Sequence, residues 1–104
     1  MLQIGNTSVW LSGETIVCEA STGDVHGSIR TKHKLMSVIP KSESLYILRT
    51  NKGEGYISFH EVENGNFTVE LKLPRRFFGV HRFYGGSSKH GVAQTLKLLK
   101  SSNK

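Results

Sequence analysis

Alternation of apolar and polar residues is clearest between residues 56 and 73, where it follows the period of two that β-strands have. In residues 56–60 the two sides of the predicted strand are Ile57 and Phe59 against Ser58 and His60. Residues 67–73 repeat the pattern, with Phe67, Val69, Leu71 and Leu73 against Thr68, Glu70 and Lys72. Asn64-Gly65 between them predicts a hairpin turn, because both residue types tolerate the positive backbone angles of a tight turn.

A third strand and a helix are predicted after this hairpin. Residues 77–83 form the strand, and Gly85-Gly86 is expected to break it. Ser87 or Ser88 can then cap a helix in which Val92, Leu96 and Leu99 recur at helical spacing. We expect that stripe to pack on the apolar side of the sheet, which is Ile57, Phe59, Phe67, Val69, Leu71 and Phe77.

The first half of the chain contains short apolar runs separated by turn signals, which predicts short strands whose role is open. The basic run Arg30–Lys34 is interpreted as a solvated loop, with a DNA-contacting loop as the alternative. The predicted class is α+β and mostly β: an antiparallel sheet of three or more strands packed on a C-terminal helix, with a β-rich N-terminal half. Two units are expected, a β-rich segment at 1–50 and a module at 51–104.

Charge is distributed unevenly along the 104 residues. The formal net charge is +6, and from Leu71 onward there are eight Lys or Arg and no Asp or Glu. The preceding 70 residues carry six basic and eight acidic side chains. A tract of one sign attracts phosphate groups, although a basic surface kept for solubility is the simpler alternative.

Other chemistries find little support in the sequence. Cys18 is the only cysteine and cannot form an internal disulfide, and the five histidines show no paired spacing, so we expect surface histidines, no zinc site and no cofactor. No apolar run approaches the roughly 18–20 residues of a membrane span. Residues 1–11 also lack the basic start and apolar run of a secretory signal. We expect an intracellular protein, in the cytoplasm or nucleus, with no membrane partner.

The strand, turn and helix order over residues 53–103 resembles the Apetala-two/ethylene-response-factor DNA-binding domain. The second strand of that family reads aromatic, small, small, Glu, aliphatic, Arg, and residues 67–72 match it with Lys72 in place of Arg. The family phrase Phe-Ser-Val-Lys-Lys-Tyr-Gly is similar to residues 78–85, with one extra aromatic residue. Ser58 and His60 stand where the family usually has arginines. The arm-binding domains of tyrosine recombinases share this architecture.

The resemblance implies that the sheet, and not the helix, enters the major groove of duplex DNA. Carried over by position, the groove side is Ser58, His60, Thr68, Glu70, Lys72, Arg76 and Phe78. Arg75, Arg82 and Lys89 would contact phosphates. Glu70 would accept from a cytosine amino group or orient Lys72 and Arg76. The implied protein is a transcriptional regulator, or a recombination or phage accessory factor, without enzymatic activity.

Two other functions stay open at this point. A small ribonuclease would use a carboxylate base, a histidine acid and an arginine on the phosphate, for which Glu70, His60 and Arg76 have matching strand parity. His81 would join them only if a bulge intervened. A phage-type inhibitor would instead bind a host protein through its basic face, and a homodimer is also compatible with the sequence.

Overall fold

In the described part of the chain, eight antiparallel strands follow one another, each paired with the next, and one helix follows them. This computed structural model describes residues 1–21, 28–75 and 79–102. The strands are β1 (Leu2–Ile4), β2 (Thr7–Ser12), β3 (Thr15–Ser21), β4 (Ser28–Pro40), β5 (Leu45–Thr50), β6 (Gly53–Glu61), β7 (Phe67–Pro74) and β8 (Val80–Ser87). A 3-10 turn at Glu63–Gly65 joins β6 to β7, and helix α1 spans Lys89–Ser102. The predicted class, α+β and mostly β, is confirmed.

The hairpin of β6 and β7 has its turn at the predicted position. Alternate residues of β7 are fully buried, with Val69, Leu71 and Leu73 no more than 1% exposed. In the turn, Asn64 and Gly65 both have positive φ, of 67° and 73°. The local pattern is therefore sufficient to specify this hairpin.

Strand β8 differs from its prediction at both ends. It begins at Val80, and it continues through Gly85 and Gly86, which were expected to break it. The Gly5 N–H, in the turn between β1 and β2, donates to the Gly86 carbonyl at 3.0 Å. A methyl group on Gly85 would lie only 2.8 Å from the Gly5 nitrogen. The glycines therefore allow the sheet to curl until its first and last strands meet.

The basic run at residues 30–34 is part of strand β4, so its interpretation as a loop is wrong. Its cations Arg30, Lys32 and Lys34 are exposed, whereas Thr31 and His33 are buried. A shift of register between Leu35 and Ser37 divides the strand. The first part of β4 pairs with β3 and the second with β5, as expected of a bulge that bends a long strand.

The interior is filled by apolar residues from strands β1 and β3 to β7 and from α1. The buried cluster is Leu2, Ile4, Ile16, Cys18, Val38, Tyr46, Leu48, Ile57, Phe59, Val69, Leu71, Leu73, Val92 and Leu99. The predicted helix stripe is confirmed, since Val92 and Leu99 are buried and Leu96 is partly buried against the cluster. Phe67 is also partly buried against it, whereas Phe77 lies outside the described residues.

Helix α1 begins with the predicted serine cap. The Gly91 N–H donates to Ser88 Oγ at 3.1 Å, which satisfies one of the free amides of the first turn. Within the described part of the chain, no helix has the length and apolar character needed to cross a membrane.

Candidate nucleic-acid interface

Strands β6, β7 and β8 present a polar surface on the side opposite the core. Pairing places the residues in three cross-strand rows: Tyr56–Lys72–Arg82, Ser58–Glu70–Tyr84 and His60–Thr68–Gly86. We call these nine residues the outer face. Their chain neighbours Ile57, Val69 and Leu71 point to the core, so the alternation of the sequence produces the surface directly.

Glu70 is the only acidic residue of the outer face, and it is held by two partners. The Tyr56 hydroxyl donates a hydrogen bond to Glu70 Oε1. Arg82 Nε lies 3.8 Å from the same oxygen. The bond to Glu70, and to a lesser extent burial, raises the pKa of Tyr56, so the phenol stays protonated as the donor. The negative charge is therefore engaged within the face.

Lys72 and Arg82 lie opposite each other on neighbouring strands. The Lys72 ammonium is 5.7 Å from the centre of the Tyr56 ring, within the range of a cation–π contact. The Arg82 side chain is 60% exposed. Two cations and an aromatic ring are thus placed side by side on a surface that solvent reaches.

The remaining predicted residues occupy different positions. His60 is exposed and Thr68 is half-buried, with Thr68 Oγ1 donating to the His60 carbonyl at 3.5 Å. Ser58 lies on the predicted side of β6, but it is buried, with only 8% of its surface exposed. Arg76 and Phe78 lie outside the described residues.

Two further predicted cations lie beyond opposite ends of the outer face. Arg75 follows β7 and is exposed, and its N–H donates to the Gly79 carbonyl at 3.1 Å. Lys89 is exposed at the first position of α1. Its side chain passes near Gly65, in the turn at the other end of β7. The described cations therefore extend along the whole length of β7.

Sequence reasoning missed the two tyrosines of the outer face. Tyr84 is 64% exposed, and Tyr56 is half-buried beside Lys72. The parity of β8 was the available signal, since Tyr84 stands two residues after Arg82. The expected strand ended at residue 83, and so it excluded Tyr84 from the surface.

The four described histidines separate into an exposed and an interior group, which corrects the expectation that each lies at the surface; His26 lies outside the described residues. His33 is 1% exposed, and its Nε2 lies 2.7 Å from the Pro74 carbonyl, to which the neutral ring donates. Its ring centre is 6.2 Å from that of His81, which in turn stacks on Phe83. Burial is the main cause that lowers the pKa of both His33 and His81.

The ribonuclease alternative requires a histidine beside the Glu70 carboxylate, so the positions of His81 and His60 are relevant to it. His81 pairs with Leu73 in an unbroken β7–β8 register, so no bulge turns it toward Glu70. His60 pairs with Thr68, one row away from Glu70. Among the described residues there is also no group of three or more side chains able to hold a metal ion.

Comparison with known proteins gives no indication of function, so the functional proposal depends on the geometry of the site. No protein-family model, curated protein or solved structure matches the chain.

Proposed function

We propose that the protein binds duplex DNA through the outer face of β6, β7 and β8, as a regulator or accessory factor that needs no cofactor. The observation that supports this most directly is the row formed by Tyr56, Lys72 and Arg82. Both cations reach solvent, and the only acid of the face is occupied by Tyr56 and Arg82.

The dimensions of the face suit the major groove. Three strands spaced about 4.8 Å apart are about 10 Å wide. The major groove of B-DNA is about 12 Å wide and admits a β-ribbon. In this arrangement Lys72 and Arg82 approach guanine edges, and the exposed His60 and half-buried Thr68 lie further along the groove. The proposed role of Arg82 is therefore contact with a base, and not the phosphate contact that the resemblance implied.

Arg75 and Lys89 would fix the position of the duplex. They lie at the two ends of β7, and neither forms an ion pair among the described residues. Cations at such positions contact phosphates, which orient a protein on DNA without reading sequence. Glu70 in turn orients the Arg82 guanidinium, and we do not assign it a base contact.

A binding titration with duplex DNA at two salt concentrations tests the proposal. Affinity should fall steeply between about 50 and 200 mM salt, because phosphate contacts release counterions. Arg82→Ala should cost about 1–3 kcal/mol of binding free energy if the side chain reads a base. Lys100→Ala removes the same charge from the exposed side of α1 and serves as the matched control.

Two results would refute this reasoning. If the affinity for DNA does not change with salt, or if DNA does not bind, the nucleic-acid hypothesis is refuted. A protein partner for the basic face would then be favoured. A larger loss with Lys100→Ala than with Arg82→Ala would make α1 the contacting element.

Single-stranded nucleic acid is a second candidate, and the exposure of Tyr84 favours it. Stacking of a base on an exposed aromatic ring contributes about 1–3 kcal/mol and tolerates any sequence. Tyr84→Ala should then weaken the binding of single strands, whereas Tyr84→Phe should retain it. If single strands bind less tightly than duplex and are unaffected by Tyr84→Ala, this candidate is excluded.

A further inference from the structure

Between the sheet and α1 lies an open cavity that the proposed DNA face does not use. Its volume is about 610 Å³, and it opens to solvent beside α1. Its inner wall is formed by apolar side chains from several strands, among them Leu11, Ile16, Leu48, Ile57 and Leu71. Helix α1 forms the opposite wall through Gln94, Thr95, Lys97 and Leu99, among others.

This open cavity has the dimensions of a ligand pocket. Small-molecule pockets have volumes of about 300–1,000 Å³ and a mainly apolar lining with a few polar groups. An apolar wall also offers water no hydrogen-bond partners, so ordered water is a poor occupant for the inner part. The cavity therefore has the size and the lining of a site for an apolar ligand.

The polar groups of the lining are concentrated on one side. Gln94, Lys97 and Ser101 line the cavity from α1 at spacings of three and four residues, which places them on one side of the helix. Lys97 is the only charged side chain among the lining residues, and the lining contains no carboxylate. The mouth beside α1 therefore favours an anionic group, while the inner wall favours a hydrocarbon chain.

We propose that this cavity binds a single-chain amphiphile with a carboxylate head group, a molecule of the fatty-acid type. The hydrocarbon chain lies against Val9, Leu11 and Leu35, whose side chains are partly exposed, and the carboxylate lies at Lys97. This site is separate from the proposed DNA face, because Leu71 and Lys72 are neighbours in β7 that point to opposite sides of the sheet.

Calorimetric titration of the full chain with dodecanoate, below its micelle concentration, tests the proposal. We expect saturable binding of one molecule per chain. Lys97→Gln should weaken that binding by up to about fivefold, since Lys97 is exposed and an exposed ion pair contributes about 0.2–1 kcal/mol. Lys100→Gln is the matched control, because it removes the same charge from α1 at an exposed residue outside the lining. Dodecanol, which has the same chain without the charge, should bind to wild type and Lys97→Gln alike.

An amide spectrum recorded by NMR during the titration locates the ligand without any substitution. Resonances of Leu11, Ile57 and Leu99 should shift, whereas those of His60 and Thr68 should not. Absence of saturable dodecanoate binding, equal losses in Lys97→Gln and Lys100→Gln, or shifts confined to residues outside the cavity would each overturn the assignment. None of these results depends on whether the protein binds DNA.

Discussion

Closure of the sheet between its first and last strands depends on Gly85, and the substitution Gly85→Ala tests this. A methyl group on Gly85 would lie 2.8 Å from the Gly5 nitrogen, 2.9 Å from Gly5 Cα and 3.3 Å from the Ile4 carbonyl carbon. All three are backbone atoms, so no side-chain rotation relieves the contact. The turn that contains Gly5 has to move away from β8.

Two terms set the size of the effect. Forcing a methyl group into a filled space costs about 1–3 kcal/mol. Moving the turn also breaks the hydrogen bond from the Gly5 N–H to the Gly86 carbonyl, whose net contribution is about 0.5–1.5 kcal/mol. We therefore expect Gly85→Ala to lower the free energy of unfolding by about 2–4 kcal/mol, a large part of the roughly 5–15 kcal/mol of a typical domain.

Gly86→Ala is the matched control in the neighbouring position. Its added methyl group would be 4.0 Å from the nearest atom, the Phe67 carbonyl oxygen, and its φ is not in the positive region. Alanine at such a site restricts the unfolded chain, so we expect a change between neutral and about 1 kcal/mol of stabilisation. Urea unfolding gives both values from the shift in midpoint at a constant m value. If Gly85→Ala is as stable as Gly86→Ala, the first and last strands do not meet as described.

Three further predictions concern buried groups. The free energy of unfolding should decrease as the pH falls through 6.5, the ordinary histidine value, because the lowered pKa values of His33 and His81 make the unfolded chain take up protons first. Urea midpoints measured across this range should show a weaker slope in His33→Gln, and an unchanged slope would contradict the assignment. Burial raises the pKa of Cys18 to about 11, so a thiol reagent at pH 8 should label the folded protein only as fast as it unfolds. Rapid labelling without urea would show that this part of the core is open. Leu73→Ala, at a residue with no exposure, should cost about 2–5 kcal/mol in the same urea assay, and a loss below about 1 kcal/mol would mean that β7 is less tightly packed than it is here.

Local patterns predicted the β6–β7 hairpin and the helix, because their information lies within a few residues. In β7 every second residue is apolar, and Asn64-Gly65 specifies the turn. The course of β8 depends instead on Gly5, some eighty positions away in the sequence, and a pair of glycines looks like a strand break when that contact is unknown. The first part of strand β4 could not be predicted from alternation for another reason. Its buried residues Thr31 and His33 are polar, so the sequence shows no apolar side there.

Residues of the candidate site could be predicted from the sequence where the strands that carry them were predicted. Strand parity identified Thr68, Glu70 and Lys72, and the structure places them in adjacent rows of one surface. Parity gave no indication that Ser58 is buried beneath that surface, since burial depends on the curl of the whole sheet. The partners of Glu70 come from β6 and β8, so its role in holding Arg82 required the strand register.

Strand β7 connects the two proposals, because its alternate residues serve opposite sides of the sheet. Lys72 belongs to the outer face and Leu71 to the wall of the cavity. A ligand in the cavity can alter DNA affinity only if it binds the two states of the outer face differently. Any such coupling is reciprocal, so DNA would change the affinity for the ligand by the same factor. Leu71 and Lys72 are adjacent in one packed strand, and a displacement of β7 by the ligand would therefore reach both surfaces together. If β7 does not move, the two sites are independent, and the loss of either activity leaves the other unchanged.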